Sequence, residues 1–384
     1  MPKFSAGGAE KSLLMLLYLL SDYKDLQIDL MLFKKEGIFL EQLPKNVNVI
    51  DTEESLKAAY SKFSSKHLLI SLIRPFATAI CTILTKNQNQ RNQMRWKYFY
   101  KHLIKELPNE YDYACGYLDG EATYYVVDKV KSKVKYAWNQ NDYQNIKANP
   151  KIDDIYYKKV DLVITLTEEC TNIFIKNFPS AKNRIEIIPP YVSSSFIKSR
   201  ADEYIPAEYN EEDYKMVSVG RLVEQKGFDI AIKSASLLKQ AGYKFKWYII
   251  GNGELYDELK NQINSLELND YVILLGIKSN PYPYIKHANL FVQPSRFEGK
   301  SVILNETKYL EKVIVVTKYP TVSDQITNGF DGIVVDINEN AISSMLGQIM
   351  SKTIDTSSVV NNLKGYEDPE TESVKKKYLK LFDL

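Results

Sequence analysis

Residues 215–227 read Lys-Met-Val-Ser-Val-Gly-Arg-Leu-Val-Glu-Gln-Lys-Gly, and this stretch decides the fold of the second half of the chain. Its first five residues have strand character and end at Gly220, and the amphipathic pattern over 228–240 predicts a helix directly behind the turn. A helix N-terminus presents backbone N–H groups, and Arg221 and Lys226 add two cations. The turn therefore suits a diphosphate, although a solvated loop with ordinary surface charge would have the same composition.

The same order of elements recurs on both sides of this turn. Short apolar runs alternate with longer amphipathic ones, which predicts parallel sheets covered by helices. The helical patterns include one long run over 56–84. Residues 189–213 break the alternation with three prolines, a serine triplet and a cluster of acids, so we interpret them as an interdomain linker. The fold class is therefore α/β, with two Rossmann-like domains over 1–192 and 193–366.

The N-terminus departs from that scheme. Gly7 and Gly8 form a glycine-rich turn of the kind that follows the first strand of such a domain, but only Met-Pro-Lys-Phe-Ser-Ala precedes them. Those residues are poor strand formers. We therefore expect the first strand to be missing, and we hypothesise that the reading frame starts further upstream.

Composition excludes several classes of protein. The 384 residues are 45% hydrophobic and 26% charged, which is ordinary for a globular protein and too apolar for a disordered one. Three widely spaced cysteines cannot form a disulfide framework, and three scattered histidines without a Cys-x-x-Cys pair make a zinc site improbable. We find neither an apolar run long enough to span a membrane nor a secretory signal, so we expect a cytoplasmic protein.

The net charge of +2 conceals a basic segment. Residues 55–105 contain ten lysines or arginines and no acid, so the rest of the chain has 40 basic and 48 acidic residues. Aromatic residues are interspersed with these cations, and the segment could face an anionic membrane surface. The alternatives are a solvated helical face above core aromatics and nucleic acid, although no nucleic-acid motif accompanies the charge.

A second motif lies near residue 300. Glu298-Gly299-Lys300-Ser301 follows a predicted strand, and Glu306 comes eight residues after Glu298. A fully helical span would separate the two carboxylates by about 12 Å, which is too far for a glycosidase pair. That separation suits one carboxylate on a sugar diol and the other on the ribose of the same nucleotide sugar. The alternative is one acid at a helix N-terminus and one exposed acid on the helix.

Together these motifs resemble the retaining GT-B glycosyltransferases of family 4. That family shows Gly-Arg-Leu-x-x-x-Lys-Gly, matched by residues 220–227, and two glutamates eight residues apart, matched by Glu298 and Glu306. It also shows an N-terminal Gly-Gly-Ala-Glu loop, matched by residues 7–10. The resemblance implies a GT-B fold, in which an acceptor-side domain (1–192) and a nucleotide-sugar-binding domain (193–366) face a cleft. A C-terminal helix over 367–384 would pack back on the first domain.

The resemblance also implies roles for individual residues. The catalytic set would be Glu298, Arg221 and Lys226, of which the two cations hold the donor diphosphate and the carboxylate binds sugar hydroxyls. The other donor-binding positions would be the sugar- and phosphate-facing backbone of Gly299, Lys300 and Ser301, the ribose ligand Glu306, the base-contacting Ile277, the loop glycines Gly7 and Gly8, and Gln140.

Gln140 marks a departure from the family. Relatives commonly have a histidine near the donor sugar where Gln140 stands, and glutamine cannot carry a positive charge. The chain also contains no Asp-x-Asp motif, and the resemblance implies chemistry with no cofactor and no metal ion.

The sequence thus predicts a metal-independent transferase. It would move a hexose or N-acetylhexosamine from a UDP-sugar to a polyprenyl-diphosphate-linked glycan in surface polysaccharide biosynthesis, and it would lie peripherally on the inner face of the plasma membrane. The alternative is a catalytically impaired GT-B protein that serves as a partner or binding subunit of another glycosyltransferase. The missing first strand and Gln140 motivate this alternative.

Overall fold

The computed structural model describes residues 1–4, 7–60, 67–140, 143–298 and 301–384. Within these ranges the chain divides into two compact units. Unit 1 comprises Met1–Tyr191 and Glu370–Leu384, and unit 2 comprises Val192–Pro369. Both consist of parallel strands joined by helices, as the alternating pattern predicts.

Unit 1 contains two parallel sheets. The first pairs β1 (Ile28–Met31) with β2 (Val47–Ile50). The second has the order β3-β4-β5-β6 and is formed by Glu110–Gly116, Lys131–Asn139, Leu162–Thr165 and Ile185–Ile187. Within the described residues no strand joins the two sheets, and Met1–Phe4 hydrogen-bond to residues 31–39.

Helices and short helical turns connect these strands. They are α1 (Gly8–Ser21), α2 (Glu54–Tyr60), α3 (Leu68–Leu84), α4 (Gln88–Arg95), a π-helical turn (Trp96–Tyr100), α5 (Lys101–Leu103), α6 (Glu121–Lys129), α7 (Tyr143–Ile146), α8 (Pro150–Tyr157) and α9 (Glu168–Asn177).

The long helix predicted over 56–84 is wrong. Helix α3 begins at Leu68, and His67 before it has φ −125° and ψ 53°, which are not helical values. Helix α2 is described over Glu54–Tyr60, and residues 61–66 lie outside the described residues. The apolar periodicity over 56–84 therefore does not belong to one continuous helix.

Aromatic side chains make up much of the core of unit 1. Trp96 and Tyr125 pack edge-to-face with their ring centroids 6.3 Å apart, beneath α3 and α6. A second cluster joins Phe174 and Phe178, whose centroids are 4.7 Å apart, next to β5. Burial of such large rings supplies hydrophobic stabilisation to unit 1.

Unit 2 is built on one six-stranded parallel sheet. The strands are β7 (Lys215–Val219), β8 (Lys246–Ile250), β9 (Val272–Gly276), β10 (Leu290–Gln293), β11 (Ile314–Thr317) and β12 (Ile333–Val335). The helices are α10 (Ser194–Ala201), α11 (Phe228–Gln240), α12 (Tyr256–Ser265), α13 (Tyr282–His287), α14 (Val302–Tyr309), α15 (Glu339–Met350) and α16 (Ser357–Leu363).

The strand order of this sheet, β12-β11-β10-β7-β8-β9, is that of a doubly wound fold. The chain moves outward from β7 to β9 and then returns to place β10 on the other side of β7. The carboxyl ends of β7 and β10 therefore lie side by side where the winding reverses. Ligands of open α/β sheets bind outside the strand ends at such a point.

Part of the stretch interpreted as a linker is a helix of unit 2. Helix α10 occupies residues 194–201, and the Ser193 hydroxyl caps it by accepting from the Phe196 N–H at 3.2 Å. Ile197 and Ala201 are fully buried, and the Asn280 amide donates to the Arg200 carbonyl. A helix of eight residues is too short for its periodicity to stand out between prolines and acids.

The last helix, α17 (Thr371–Leu381), is part of unit 1. Tyr378 is completely buried, and its hydroxyl donates to the Pro189 carbonyl at 3.2 Å. The Tyr136 hydroxyl of β4 donates to the Leu381 carbonyl at 2.7 Å. These contacts hold the end of the chain against the four-stranded sheet.

Candidate functional site

The loops that follow β7 and β10 meet through one buried ion pair. Lys226 Nζ lies 2.6 Å from Glu298 Oε1, and the two side chains are only 17% and 7% exposed. The two motifs singled out in the sequence, 72 residues apart, therefore form one site within unit 2. An ion pair removed from water in this way persists only with good geometry and additional hydrogen bonds.

Those additional hydrogen bonds come from neutral side chains. Ser295 Oγ donates to Glu298 Oε1 at 2.7 Å, and Gln225 Nε2 donates to Glu298 Oε2 at 3.2 Å. Thr321 Oγ1 donates to the Glu298 carbonyl at 2.8 Å, which ties the loop after β10 to the one after β11. Sequence reasoning missed these partners, although Gln225 lies inside the basic turn and Ser295 three residues before Glu298.

A glycine without room for a side chain brings the two loops together. Gly227 has φ +65°, a left-handed conformation that favours glycine, and a Cβ there would lie 2.0 Å from the Pro294 carbonyl oxygen. Beside it, the two terminal nitrogens of the Arg296 guanidinium each donate to one oxygen of the Asp229 carboxylate at 2.7 Å. Burial alone would raise the pKa of Asp229, but the two hydrogen bonds from Arg296 hold it below its ordinary value. This bidentate ion pair therefore connects the start of α11 to the loop after β10.

A second close approach positions the Lys226 side chain. Its alkyl chain lies over Gly220, where a Cβ would come 3.3 Å from Lys226 Cδ. Gly251, with φ +150°, approaches Gly220 so closely that a Cβ would lie 1.8 Å from its carbonyl oxygen. The ends of β7 and β8 are thus packed backbone against backbone beneath the ammonium group.

Arg221 is exposed at the same turn. Its neighbour Leu222 is buried and its N–H donates to the Asn252 carbonyl at 3.0 Å, so the backbone beneath Arg221 is fixed. Among the described residues no hydrogen bond or ion pair to the Arg221 guanidinium is recorded. The group can therefore reach an anionic ligand without first leaving a protein partner.

The segment after Glu298 is only partly described. Gly299 and Lys300 lie outside the described residues, so their predicted contacts with sugar and phosphate stay predictions. The Ser301 N–H donates to Gln325 Oε1 at 2.6 Å, and its hydroxyl donates to Gln293 Oε1 at 3.0 Å. The Ser301 amide predicted to face the donor is therefore engaged by Gln325 in this structure.

The two glutamates lie in different elements. Glu298 precedes α14, which begins at Val302, and Glu306 lies within it, so the separation estimated for a fully helical span does not apply. Glu306 is 1% exposed, and the Tyr282 hydroxyl donates to its Oε1 at 3.2 Å. Burial, together with the nearby Glu306 charge, raises the pKa of Tyr282 well above its ordinary value, so this hydroxyl stays a donor.

Ile277, which is predicted to contact the base, and Tyr319, which is influenced by the charge of Glu298, differ in exposure. Ile277 is half exposed and follows Gly276, whose φ of +67° turns the chain sharply at the end of β9. Tyr319 is buried after β11, where burial and the Glu298 charge raise the pKa of its phenol. The base and ribose roles predicted for Ile277 and Glu306 stay predictions.

The remaining predicted residues lie in unit 1. Gly7 precedes α1, and a Cβ there would lie 2.1 Å from Glu10 Oε2, whereas a Cβ on Gly8 would meet nothing within 4 Å. Gln140 follows β4, and its N–H donates to Asp119 Oδ2 at 3.1 Å. The atom met at position 7 is the end of a flexible side chain and Gly7 has an extended backbone, so the described structure requires glycine at neither position.

Asp119 is the centre of a polar cluster at this end of the four-stranded sheet. Its carboxylate accepts from Asn139 Nδ2 at 2.7 Å, from the Gln140 N–H, and from the Tyr157 hydroxyl at 3.2 Å. Burial raises the pKa of Asp119 from 3.8 to about 6, against the opposing effect of these donors. Its donors come from the end of β4 and from α8, so no local pattern in the sequence identifies this cluster.

Within the described ranges, no group of three or more His, Cys, Asp or Glu side chains could hold a metal ion. Metal independence stays a prediction.

Comparison with known protein families gives a match to the part of the chain that contains this site. Residues 201–362 match the family model described as "Glycosyl transferases group 1", which covers the site formed by the loops after β7 and β10. Most of unit 2 is thus similar to group 1 glycosyl transferases. The match includes Arg221, Lys226, Glu298 and Glu306.

Several curated glycosyltransferases are similar to this chain. An uncharacterized glycosyltransferase of Methanocaldococcus jannaschii, MJ1059, is 28% identical over 59% of this chain and 64% of its own length. The N-acetylgalactosamine-N,N'-diacetylbacillosaminyl-diphospho-undecaprenol 4-alpha-N-acetylgalactosaminyltransferase of Campylobacter jejuni is 28% identical over 53% of this chain and 54% of its own length. The capsular polysaccharide biosynthesis glycosyltransferase CapM of Staphylococcus aureus is 25% identical over 45% and 48%. The chain spans less than two thirds of the length of each of these relatives.

Solved structures resemble this chain over nearly its whole length. Anabaena Alr3699/HepE, crystallised with UDP and glucose, has a TM-score of 0.62 at 14% identity, with 100% of this chain and 99% of that chain covered. The lipopolysaccharide outer core galactosyltransferase WaaB has a TM-score of 0.51 at 12% identity, with 99% and 97% covered. This likeness shows that the fold is GT-B, as expected from the sequence.

Proposed function

We propose that this chain is a retaining hexosyltransferase that uses a UDP-sugar donor. One observation carries the proposal: Lys226 and Glu298 are paired at 2.6 Å where the carboxyl ends of β7 and β10 adjoin, the ligand-binding point of a doubly wound sheet. A diphosphate needs fixed cations and a sugar needs fixed carboxylates, and this pair supplies one of each.

In the proposed complex, Arg221 and Lys226 hold the diphosphate of the donor. A lysine ammonium has three donors, so Lys226 can contact a phosphate oxygen while it remains bonded to Glu298. The two cations would stabilise the negative charge that develops on the departing UDP. Glu298 accepts hydrogen bonds on both oxygens in this structure, and its remaining lone pairs would take a sugar hydroxyl.

The proposed reaction keeps the anomeric configuration and uses no metal. The acceptor hydroxyl attacks on the side from which UDP leaves, the bond between the anomeric carbon and the UDP oxygen breaks, and the leaving phosphate takes the acceptor proton. The chain's own residues then bind and orient the donor and neutralise charge. The donor-binding roles of Gly7, Gly8 and Gln140 stay predictions.

For the acceptor we propose a polyprenyl-diphosphate-linked glycan in surface polysaccharide synthesis, at the cytoplasmic face of the membrane. The Campylobacter relative acts on a diphospho-undecaprenol acceptor and CapM serves capsular polysaccharide synthesis, which supports this class of acceptor. The basic segment 55–105 would face the anionic membrane that carries such a lipid.

Calorimetric titration with UDP tests the donor site. Arg221→Ala should weaken UDP binding by about 100-fold, because a diphosphate would lose a charge-assisted partner worth roughly 2–3 kcal/mol. The matched control is Lys244→Ala. Lys244 is an exposed cation just before the amino end of β8, whereas the site lies at the carboxyl ends of the strands, so this variant should bind UDP as the wild type does. Equal affinities for all three proteins would refute the proposed diphosphate site.

Turnover separates the enzyme from its alternative. UDP-hexoses and UDP-N-acetylhexosamines are incubated with a polyprenyl-diphosphate glycan, and the product anomer is determined by NMR. An α-linked product from an α-linked donor is expected. A chain that binds UDP but transfers no sugar, and that binds a second glycosyltransferase tightly, would instead be a binding subunit.

A further inference from the structure

An exposed apolar helix face stands out on unit 1. Sixteen large hydrophobic side chains are exposed in the described part of the chain, and six of them lie on α3. Those six are Leu68 (51%), Leu69 (61%), Leu72 (59%), Phe76 (64%), Ile83 (84%) and Leu84 (63%). Single exposed apolar residues are normal, but a contiguous stripe of them marks a contact surface.

The six residues are not scattered around the helix. At about 100° per residue, Leu69, Leu72, Phe76 and Ile83 fall within an arc of roughly 60°. The opposite face is the one that unit 1 buries: Ile70, Ala77 and Cys81 are at most 4% exposed. Helix α3 is therefore apolar both inward, where it packs on unit 1, and outward, where the structure places no partner among the described residues.

The surroundings of this face carry positive charge. The basic segment 55–105, which includes all of α3, contains no aspartate or glutamate. Lys86 is exposed two residues beyond the end of α3, and Lys97 lies 5.3 Å from the centre of the exposed Tyr98 ring. An apolar stripe next to cations and an exposed aromatic ring is complementary to an anionic lipid surface, where acyl chains and charged headgroups adjoin.

We infer that α3 lies in the interfacial layer of an anionic membrane, with Leu72, Phe76 and Ile83 inserted among the acyl chains. In the described part of the chain no helix is long and apolar enough to cross a membrane, so the helix would lie along the surface. The inference rests on the proposed function and extends it, because it assigns the membrane contact to an apolar face and not to charge alone.

Vesicle sedimentation tests the face with a matched pair of variants. Ile83→Ser replaces an isoleucine that is 84% exposed on α3, and Ile205→Ser replaces one that is 72% exposed in unit 2. With phosphatidylcholine vesicles that contain phosphatidylglycerol, the triple variant Leu72→Ser/Phe76→Ser/Ile83→Ser should partition about tenfold less than wild type. Ile83→Ser should show part of that loss, and Ile205→Ser should match the wild type.

A second measurement detects membrane contact without making the face of α3 more polar. Ile83→Trp keeps the face apolar and adds an exposed indole, whereas Trp96, Trp138 and Trp247 are fully buried. Its emission should shift to shorter wavelength on anionic vesicles and should be quenched by lipids brominated on the acyl chains. Equal vesicle partition of wild type and triple variant, or an Ile83→Trp signal that vesicles leave unchanged, would overturn the inference.

The experiment also identifies the other possible occupant. If sedimentation velocity shows that the wild type self-associates and the triple variant does not, while vesicles bind neither, the face joins two copies of the chain and the lipid proposal is refuted. UDP titration without lipid separates this outcome from failure of the proposed function. The triple variant should bind UDP normally, since its substitutions lie in unit 1 and outside the donor site.

Discussion

Glu298 is nearly buried, yet it accepts hydrogen bonds from three side chains. Lys226 supplies the only full positive charge among the recorded partners in the described residues, while Ser295 and Gln225 supply neutral donors. A carboxylate that is largely removed from water is stabilised by such a counter-charge, and its loss is costly. The pair that is proposed to bind the donor therefore also stabilises unit 2.

We predict that Lys226→Ala lowers the free energy of unfolding by about 1–3 kcal/mol, because it leaves a buried carboxylate without its counter-charge. Urea unfolding measures the change, and Lys226→Ala/Glu298→Gln should recover most of it. The control is the exposed pair Lys133–Asp112, also in contact at 2.7 Å, where Lys133→Ala should leave stability unchanged. A double variant no more stable than Lys226→Ala would contradict the argument.

The pH dependence of unit 1 is predicted to include a contribution from Asp119. Its pKa rises from 3.8 to about 6 in the folded chain, so between these values the folded state holds more protons than the unfolded state. Stability present at low pH is therefore lost as pH rises through this range. For this partly exposed group the loss is about 1–2 kcal/mol.

Asp119→Asn isolates that contribution, because other titrating groups cancel between the two proteins. Unfolding is measured at pH 4 and pH 7 for both, and the wild type should lose more stability over this interval than the variant. Identical losses would show that Asp119 titrates alike in both states.

At the scale of elements, the site depends on how closely two loops approach. Gly227 ends the turn after β7 and faces the Pro294 carbonyl of the loop after β10. Gly227 needs both a left-handed backbone and the absence of a Cβ. Gly242 also has a left-handed backbone, at φ +82°, but a Cβ there would meet nothing within 4 Å. The two glycines separate the cost of backbone conformation from the cost of the clash.

Gly242→Ala should cost about 1 kcal/mol, the strain of a left-handed alanine. Gly227→Ala should cost at least about 3 kcal/mol, because the loop after β10 must also move away. Thermal unfolding gives the stabilities, and UDP titration should show weaker binding for Gly227→Ala alone. Similar costs at both positions would mean that the loops are not in close contact.

At the scale of the whole molecule, α17 connects the end of the chain to unit 1. Tyr378 is completely buried and bonded to Pro189, so this helix is part of the packed structure of that unit. Loss of its packing should therefore lower the stability of unit 1 and leave that of unit 2 unchanged. Hydrogen exchange resolves this question, because it reports the opening of each segment separately.

Tyr378→Ala should destabilise unit 1 by about 3–5 kcal/mol through the cavity it leaves. Amide protection should fall in β3 to β6 and stay unchanged in β7 to β12. Tyr378→Phe removes only the hydroxyl and should cost about 1 kcal/mol, while the exposed Lys376→Ala on the same helix should have no effect. Loss of protection throughout both units would contradict separate stability of the units.

The sequence by itself determined the α/β class, the order of strands and the two motifs of the donor site. Strand and helix patterns are local, so the strand predicted at 215–219 is found there unchanged. Two local features were not predicted. They are the short helix α10 and the non-helical His67 before α3.

Only the tertiary structure decided which residues meet. The hydrogen bonds of Ser295 and Gln225 to Glu298, of Gln325 to Ser301 and of Tyr282 to Glu306 depend on where loops of different strands converge. The outward apolar face of α3 likewise emerges only when the buried side of the helix is known. Contacts between distant segments follow from packing of the whole unit, and no local pattern in the sequence encodes them.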